Sequence, residues 1–420
     1  MQKLVLISFI LLLLTIQLQA APLTWSQAVD LAKKNNLSYQ AADLTEKSVL
    51  ELEKASWSGF LPKISASLLQ NQTDSDTTLF SQTYGAQINL TQNIFAGFLD
   101  VKKNNLAQIN SKLATLNKQA TAANLSADLK KTFQTALYAQ NLKKLAADIL
   151  QRRKENLNNV KLQFQSGREN KGSVLLSEAY VQQAQYDYQA AQYQEEVTLE
   201  TLKQSLGLPT SEDIQVIAPT NETTTQQTAL NNTSPNFAKI AENIPEVLSA
   251  QAQEEETRLA AEVNRSTFWP TLDLNGQYGY YDEHFFPEKN KWSIGLTLNI
   301  PLFNGGSDYW SYRSNSLKYK SAQYKNQNQQ LTSVTQLKET YYNFKQAEQQ
   351  EKVSRSFSDA ALIRAQIARS KYQNGLMSFD DWDLVESDLI QRQKTWLTSQ
   401  RDRSIQEANW EQAQGLGVFQ

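Results

Sequence analysis

The sequence predicts a membrane β-barrel joined to a long α-helical barrel, an α+β chain of two tandem structural repeats, each with a two-strand hairpin and long coiled-coil helices. Three observations predict it. The first is the run Lys291–Gly306, in which Trp292, Ile294, Leu296, Leu298 and Ile300 fall on one side of a strand and Ser293, Gly295, Thr297 and Asn299 on the other. More than a hundred residues of polar helix follow, with no room for a second sheet, so the apolar side needs lipid as its solvent. The second is an internal echo. Phe95 and Gly97 of Gln92-Asn-Ile-Phe-Ala-Gly97 match Phe303 and Gly305 of Ile300-Pro-Leu-Phe-Asn-Gly305 at an offset of 208 residues (303 − 95). Pro62 and Pro270, Gly167 and Gly375, and Gly207 and Gly415 keep the same offset, the mark of a tandem duplication. The third is that Asp100–Gln165 and Asp308–Tyr372 contain neither proline nor glycine, and at ~1.5 Å per residue each is a rod of roughly 100 Å.

Composition removes whole classes of function. The net charge of −2 at pH 7 gives no basic surface for nucleic acid, the absence of cysteine excludes thiolate metal sites and thiol chemistry, and the single histidine, His284, leaves almost no material for a catalytic triad or a histidine metal site. Neither a catalytic residue, a metal ligand nor a cofactor site is indicated. Met1–Ala21 has Lys3, an apolar run from Leu4 to Leu14 and then Leu18-Gln-Ala-Ala21, which reads as a secretory signal peptide cut near Ala20 or Ala21. Its apolar core is shorter than the ~20 residues of a membrane helix, and no other stretch qualifies, so the mature chain meets the membrane with strands.

In order, residues 1–20 are the signal peptide and 21–218 the first repeat, with helices at about 24–60, 100–165 and 174–206 and strands at about 62–72 and 82–92. Asn35-Asn36 interrupts the first of these helices, and the polar stretch Asn71–Ser81 reads as an exposed loop. Residues 219–237, rich in Thr, Asn and Gln, form a linker. Residues 238–420 are the second repeat, with helices at about 243–266, 308–372 and 379–414 and strands at about 270–281 and 291–301. Each strand has about the ten residues a tilted strand needs to cross a bilayer. Aromatic residues gather at both strand ends, Tyr84, Tyr280, Tyr281 and Trp292 toward the loops and Phe60, Phe95, Trp269 and Phe303 toward the helices, as interfacial girdles do.

Four strands cannot close a barrel, and an open edge in lipid leaves unpaired backbone groups costing several kcal/mol each. The chain must oligomerise. Eight, twelve or sixteen strands follow for a dimer, trimer or tetramer, and the polar strand face requires a water-filled lumen, which favours more than two copies. Helical hairpins continuing from the same wall extend it as a second tube. Gly97 and Gly305, with Pro301 just ahead of the latter, mark the joints where strand gives way to helix, and both glycines are expected to take φ > 0 or to sit against neighbouring backbone.

The duplicated hairpin, Pro301-Leu-Phe-Asn-Gly-Gly306, the paired turns Phe164-Gln-Ser-Gly167 and Tyr372-Gln-Asn-Gly375, and Leu206-Gly-Leu-Pro209 together resemble the TolC-like outer membrane efflux proteins across essentially the whole mature chain. The motifs are individually weak; their order and common offset are specific. The resemblance implies a homotrimer with a twelve-stranded barrel in the outer membrane of a Gram-negative bacterium and a helical barrel in the periplasm. It implies a periplasmic adaptor and an inner-membrane transporter as partners, outer membrane lipid around the barrel, and drugs, small toxic compounds or secreted proteins as cargo. In the family the turn after Tyr372 narrows the tunnel and acidic residues just beyond it line the lumen. Asp381 falls on one such aspartate, with Asp380 and Asp383 beside it, but Leu384 replaces the second, Met377 stands where some members have an arginine, and Ser173 replaces the matching aspartate of the first copy. Arg168, Glu169 or Lys371 are left as candidates to tie the entrance shut. Read from the residues alone, Ser378-Phe-Asp-Asp381 is equally a helix capping box.

Two other classes compete with a channel. A periplasmic adaptor would carry one helical hairpin between halves of compact β domains, not two with membrane-length strands. An outer-membrane hydrolase would need a nucleophile facing a histidine, and His284 sits in a loop beside Phe285-Phe286-Pro287.

Overall fold

The two long helical stretches fold as single helices because nothing in them removes a backbone donor or frees the chain to turn. A computed structural model describes residues 21–75, 78–211, 213–217 and 235–419; the expected signal peptide and most of the expected linker lie outside the described residues. The elements are β1 (Ala21–Leu23), α1 (Trp25–Asn35), α2 (Leu37–Ser56), β2 (Lys63–Ser75), β3 (Thr78–Ala96), α3 (Leu99–Gln165), α4 (Lys171–Leu206), β4 (Ile214–Val216), α5 (Phe237–Ala241), α6 (Pro245–Arg265), β5 (Thr271–Asp282), β6 (Lys289–Asn299), α7 (Ser307–Gln373) and α8 (Phe379–Ala413), with 3-10 turns at Trp57–Phe60 and Ser266–Phe268. At 67 residues each, α3 and α7 run about 100 Å.

The landmark glycines turn out to be helix ends. Gly167, Gly207, Gly375 and Gly415 all have φ between 69° and 74°. Each donates its N–H to a carbonyl three residues back, and the next residue's N–H reaches five back, as in Arg168 to Gln163 and Leu376 to Lys371. This is a Schellman cap, which satisfies carbonyls at a helix end and needs a residue without Cβ. At Asn36 the expected helix 24–60 divides. Its side chain accepts from Tyr39 N (2.9 Å), opening α2, and donates to Ser205 O (2.8 Å), holding the break against the end of α4.

The chain forms two compact units, each drawing on both repeats. One comprises the described residues of Met1–Gln40, Ala120–Ala241 and Val334–Gln420, the other Ala41–Gln119 and Glu242–Ser333. The first is helical apart from the parallel pair β1 and β4 and is centred on Phe133, Leu129, Leu202, Leu206 and Phe419, with Trp25 edge-on to Phe133. In the second, Leu113 and Leu116 of α3 bury against Ala252 of α6.

That second unit also holds a four-stranded antiparallel sheet in the order β2-β3-β5-β6. Its two outermost strands are therefore the first and last in sequence. Ile64 faces Leu90 in one hairpin and Leu272 faces Leu298 in the other, so the hairpins share one register at the 208-residue offset. The strands differ from expectation in one place. The polar stretch 71–81, expected as a loop, is largely strand: Asn71, Gln72 and Thr73 pair with Thr83, Gln82 and Ser81. Backbone pairing does not require apolar alternation, so a hairpin can run on into water with polar residues on both faces.

Even-numbered residues make the apolar face of the sheet. Ile64, Leu68, Ile88, Trp292, Ile294, Leu296 and Leu298 are all exposed. Odd-numbered residues make a polar face with cross-strand bonds, Asn89 Nδ2 to Ser67 Oγ (3.2 Å), Asn93 Nδ2 to Asp273 Oδ1 (2.9 Å) and Asn275 Nδ2 to Thr297 Oγ1 (3.3 Å). An apolar face this extensive and this exposed marks a surface with a non-aqueous solvent.

Candidate functional site

The turns that join α3 to α4 and α7 to α8 lie together in the first unit and make up the candidate site. Apolar packing holds them: Val160 of α3, Ala361, Ala365, Ala368 and Tyr372 of α7, and Phe379, Trp382, Val385 and Leu389 of α8 form one buried cluster. Tyr372 stacks flat on Trp382 (4.2 Å, 9°), with Phe379 edge-on to both. Its hydroxyl donates to Glu169 Oε2 (3.2 Å), and burial with the neighbouring Glu169 carboxylate raises its pKa above the ordinary tyrosine value. Tyr372 is thus buried and is not presented at the surface. Of the three residues considered for closing bonds, Glu169 makes this link and also accepts from Ser173 Oγ (2.9 Å), whereas Arg168 and Lys371 are exposed.

The aspartates divide. Asp381 is exposed, and its N–H donates to Ser378 Oγ (3.1 Å) while that hydroxyl donates to Asp381 Oδ2 (2.7 Å), so it serves the cap of α8 and still shows its carboxylate to water. Asp380 is exposed in the same first turn. Asp383, grouped with them in the sequence, is turned inward. It bonds Arg153 Nη1 at 2.8 Å with only 14% of its side chain exposed. Arg153 in turn donates to Ser387 (3.0 Å) and lies 4.4 Å over the Tyr180 ring. Burial first, then Asp383, raises the Tyr180 pKa.

One pair was missed altogether. Glu386, 1% exposed, accepts from Arg369 Nη2 at 2.7 Å. Beside it, Arg152 donates to Gln393 (2.8 Å); burial lowers its pKa, and the charge of Glu386 opposes that shift. Only the spacing of Glu386 four residues after Trp382, on the same face of α8, could have placed it inward. Farther along the same helices, Asn343, Gln346, Gln350, Gln391, Lys394 and Asp402 line a polar groove.

At the joints, Gly97 and Gly305 both have positive φ, 61° and 65°. Only Gly97 is also crowded: a Cβ there would lie 2.5 Å from Trp269 Cβ and 2.9 Å from Ser266 O, whereas at Gly305 nothing lies within 4 Å. Gly306 repeats the left-handed conformation (φ 79°), and its counterpart is Phe98 (φ 65°), a strained residue set edge-on to Phe95 and Trp269. Pro301 lies two residues past the end of β6, where no ladder bond is asked of it. His284 is exposed and within 3.3 Å of Asp282. Among the described residues no group of His, Asp or Glu could hold a metal ion, and no helix is long and apolar enough to cross a membrane.

Residues 237–416 match the family model of outer membrane efflux proteins. That stretch of the chain is similar to outer membrane efflux proteins. Solved structures extend the likeness over nearly the whole chain. The Campylobacter jejuni CmeC outer membrane channel superposes with a TM-score of 0.82 at 17% identity, covering 93% of this chain and 85% of that one. The outer membrane protein VceC of Vibrio cholerae gives 0.82 at 14% identity (94% and 96% covered), and the open state of the Neisseria gonorrhoeae MtrE outer membrane channel gives 0.80 at 17% (93% and 89%). At these identities the likeness is one of fold. No curated protein sequence matches the chain.

Proposed function

We propose that this chain is the outer membrane channel of a tripartite efflux or type I secretion system in a Gram-negative bacterium, extending into the periplasm and conducting cargo passively to the outside. The observation that carries the reading is the sheet: two hairpins in one register, an apolar even-numbered face, a bonded polar odd-numbered face, and two outer strands left open. Open edges in lipid are closed by further copies, and three copies give a twelve-stranded wall whose polar face lines water. The long helices that begin just past Gly97 and Gly305 continue the conduit into the periplasm, where an adaptor and an inner-membrane transporter deliver cargo such as drugs, small toxic compounds or secreted proteins.

At the turn site, exposed Asp381, aided by Asp380, supplies the charge of the periplasmic constriction. Asp383 and Tyr372 support it from inside by fixing α8 and α7. Repeated around a symmetry axis, one exposed carboxylate per copy concentrates cations in a narrow pore. Producing the chain with its adaptor and pump in a strain lacking its own outer membrane channel should lower steady-state accumulation of a fluorescent efflux dye. Accumulation equal to that of the empty strain, with the protein assembled in the outer membrane, would contradict the reading.

A further inference from the structure

The two outer strands of the sheet are complementary, and the internal repeat fixes how they meet. We propose that β6 of one copy pairs antiparallel with β2 of the next with Leu298 opposite Leu68, Leu296 opposite Gln70 and Ile300 opposite Ala66. This rests on the reading that several copies close one barrel, and adds to it the residues that join them.

Within one chain the two hairpins already meet edge to edge. There β3 pairs with β5, with Ile88 opposite Tyr278, Leu90 opposite Gly276 and Gln92 opposite Leu274. Within each hairpin the register is the same once 208 residues are added, Ile64 with Leu90 and Leu272 with Leu298. The offset carries β3 onto β6 and β5 back onto β2. Leu90 thus maps to Leu298 and Gly276 to Leu68, so the β3–β5 contact is a template for the contact between copies.

Three features of the sheet agree with this register. Every proposed pair joins even-numbered residues, which keeps the apolar face of β6 continuous with Ile64 and Leu68 of β2; a shift by one residue would turn the face of one strand into the lumen. Stagger is also kept. Ile64 pairs with Leu90, and Leu90 with Gly276, which lies four residues past Leu272, the repeat equivalent of Ile64. A barrel of uniform tilt advances by the same stagger at every hairpin, and the proposed register alone preserves four residues between copies. Finally, β6 and β2 are different surfaces, so the contact is head-to-tail, and its repetition from copy to copy can close into a ring.

The natural chain has no cysteine, so paired cysteines report the register directly. Residues directly opposite have Cβ atoms about 4.5–5.5 Å apart. A slip of two residues moves one strand about 6.6 Å along the other and takes the Cα atoms beyond the ~7 Å a disulfide spans. The experiment oxidises the full mature protein, assembled in the outer membrane, as L68C/L298C, L68C/L296C and L68C/I300C, and reads covalent multimers on a denaturing gel. L69C/T297C, the same register on the lumen face, is the second variant should the lipid-facing substitutions impair assembly. Cross-linking of L68C/L298C or L69C/T297C without the shifted pairs is the expected result. Cross-linking of a shifted pair instead, or of none in a protein that still runs as an oligomer, overturns the register and leaves the barrel standing. A folded monomer in mild detergent overturns both.

Discussion

Replacing Glu386 with glutamine tests whether the buried ion pair holds the turn site. Glu386 is 1% exposed, bonds Arg369 at 2.7 Å and lies beside a second guanidinium, that of Arg152. A glutamine at this position keeps the shape and removes the charge, so the arginines lose their common counter-ion in a dry site. Breaking a buried pair by removing one partner costs about 3–5 kcal/mol. Because 32% of the Arg369 side chain still reaches water, the loss should fall near the lower end, about 3 kcal/mol. Replacing both partners, R369M with E386L, removes the desolvated charges together and should recover much of that loss. Urea unfolding in detergent, followed by the fluorescence of Trp382 and Trp396, measures all three proteins. E386Q within about 0.5 kcal/mol of the natural protein, or a double variant no better than E386Q, would refute the reasoning.

The joint glycines should separate. Gly305→Ala meets only the cost of a left-handed backbone, about 1–2 kcal/mol, whereas Gly97→Ala adds overpacking against Trp269 of roughly 1–3 kcal/mol, so assembled protein in the outer membrane should fall further for Gly97→Ala; equal yields would count against this. Lys118 holds Asp43 and Glu46 on α2, drawing the Asp43 pKa down to about 2 from 3.8. With its folded pKa depressed, Asp43 contributes stability above pH 3.8 that is lost as pH falls through about 2, so the melting-temperature gap between the natural protein and Lys118→Met should be wide at neutral pH and shrink between pH 4 and 2. A gap constant across that window would remove the linkage. Asp381→Asn should lower cation preference and weaken block by multivalent cations in planar bilayers, and a lowered melting temperature with unchanged selectivity would leave Asp381 only its capping role.

Much of the fold was legible because the duplication repeats its punctuation. Gly167, Gly207, Gly375 and Gly415 stood out as spaced landmarks and prove to be helix caps, each needing a residue without Cβ. Alternation in Lys291–Ile300 showed both faces of β6, since a period of two matches the strand repeat and no helical one. What stayed hidden depends on contacts between distant segments. The strand through Asn71–Thr73 follows from backbone pairing that leaves no side-chain signature. Asp380, Asp381 and Asp383 look alike in a row; only the helical turn, which swings Asp383 toward Arg153 some 230 residues away, tells them apart. Glu386 reads as one more polar residue on a polar helix until Arg369 and Arg152 are seen around it.

The central claim is that open-edged sheets from several copies enclose one water-filled path. Single-channel recording of the purified mature protein in a planar lipid bilayer tests it most directly. The account predicts discrete conductance steps of one size class, with cation preference, from the oligomeric fraction. A folded protein that inserts into the bilayer and carries no current, even when the Asp381 ring is neutralised by Asp381→Asn, would contradict it.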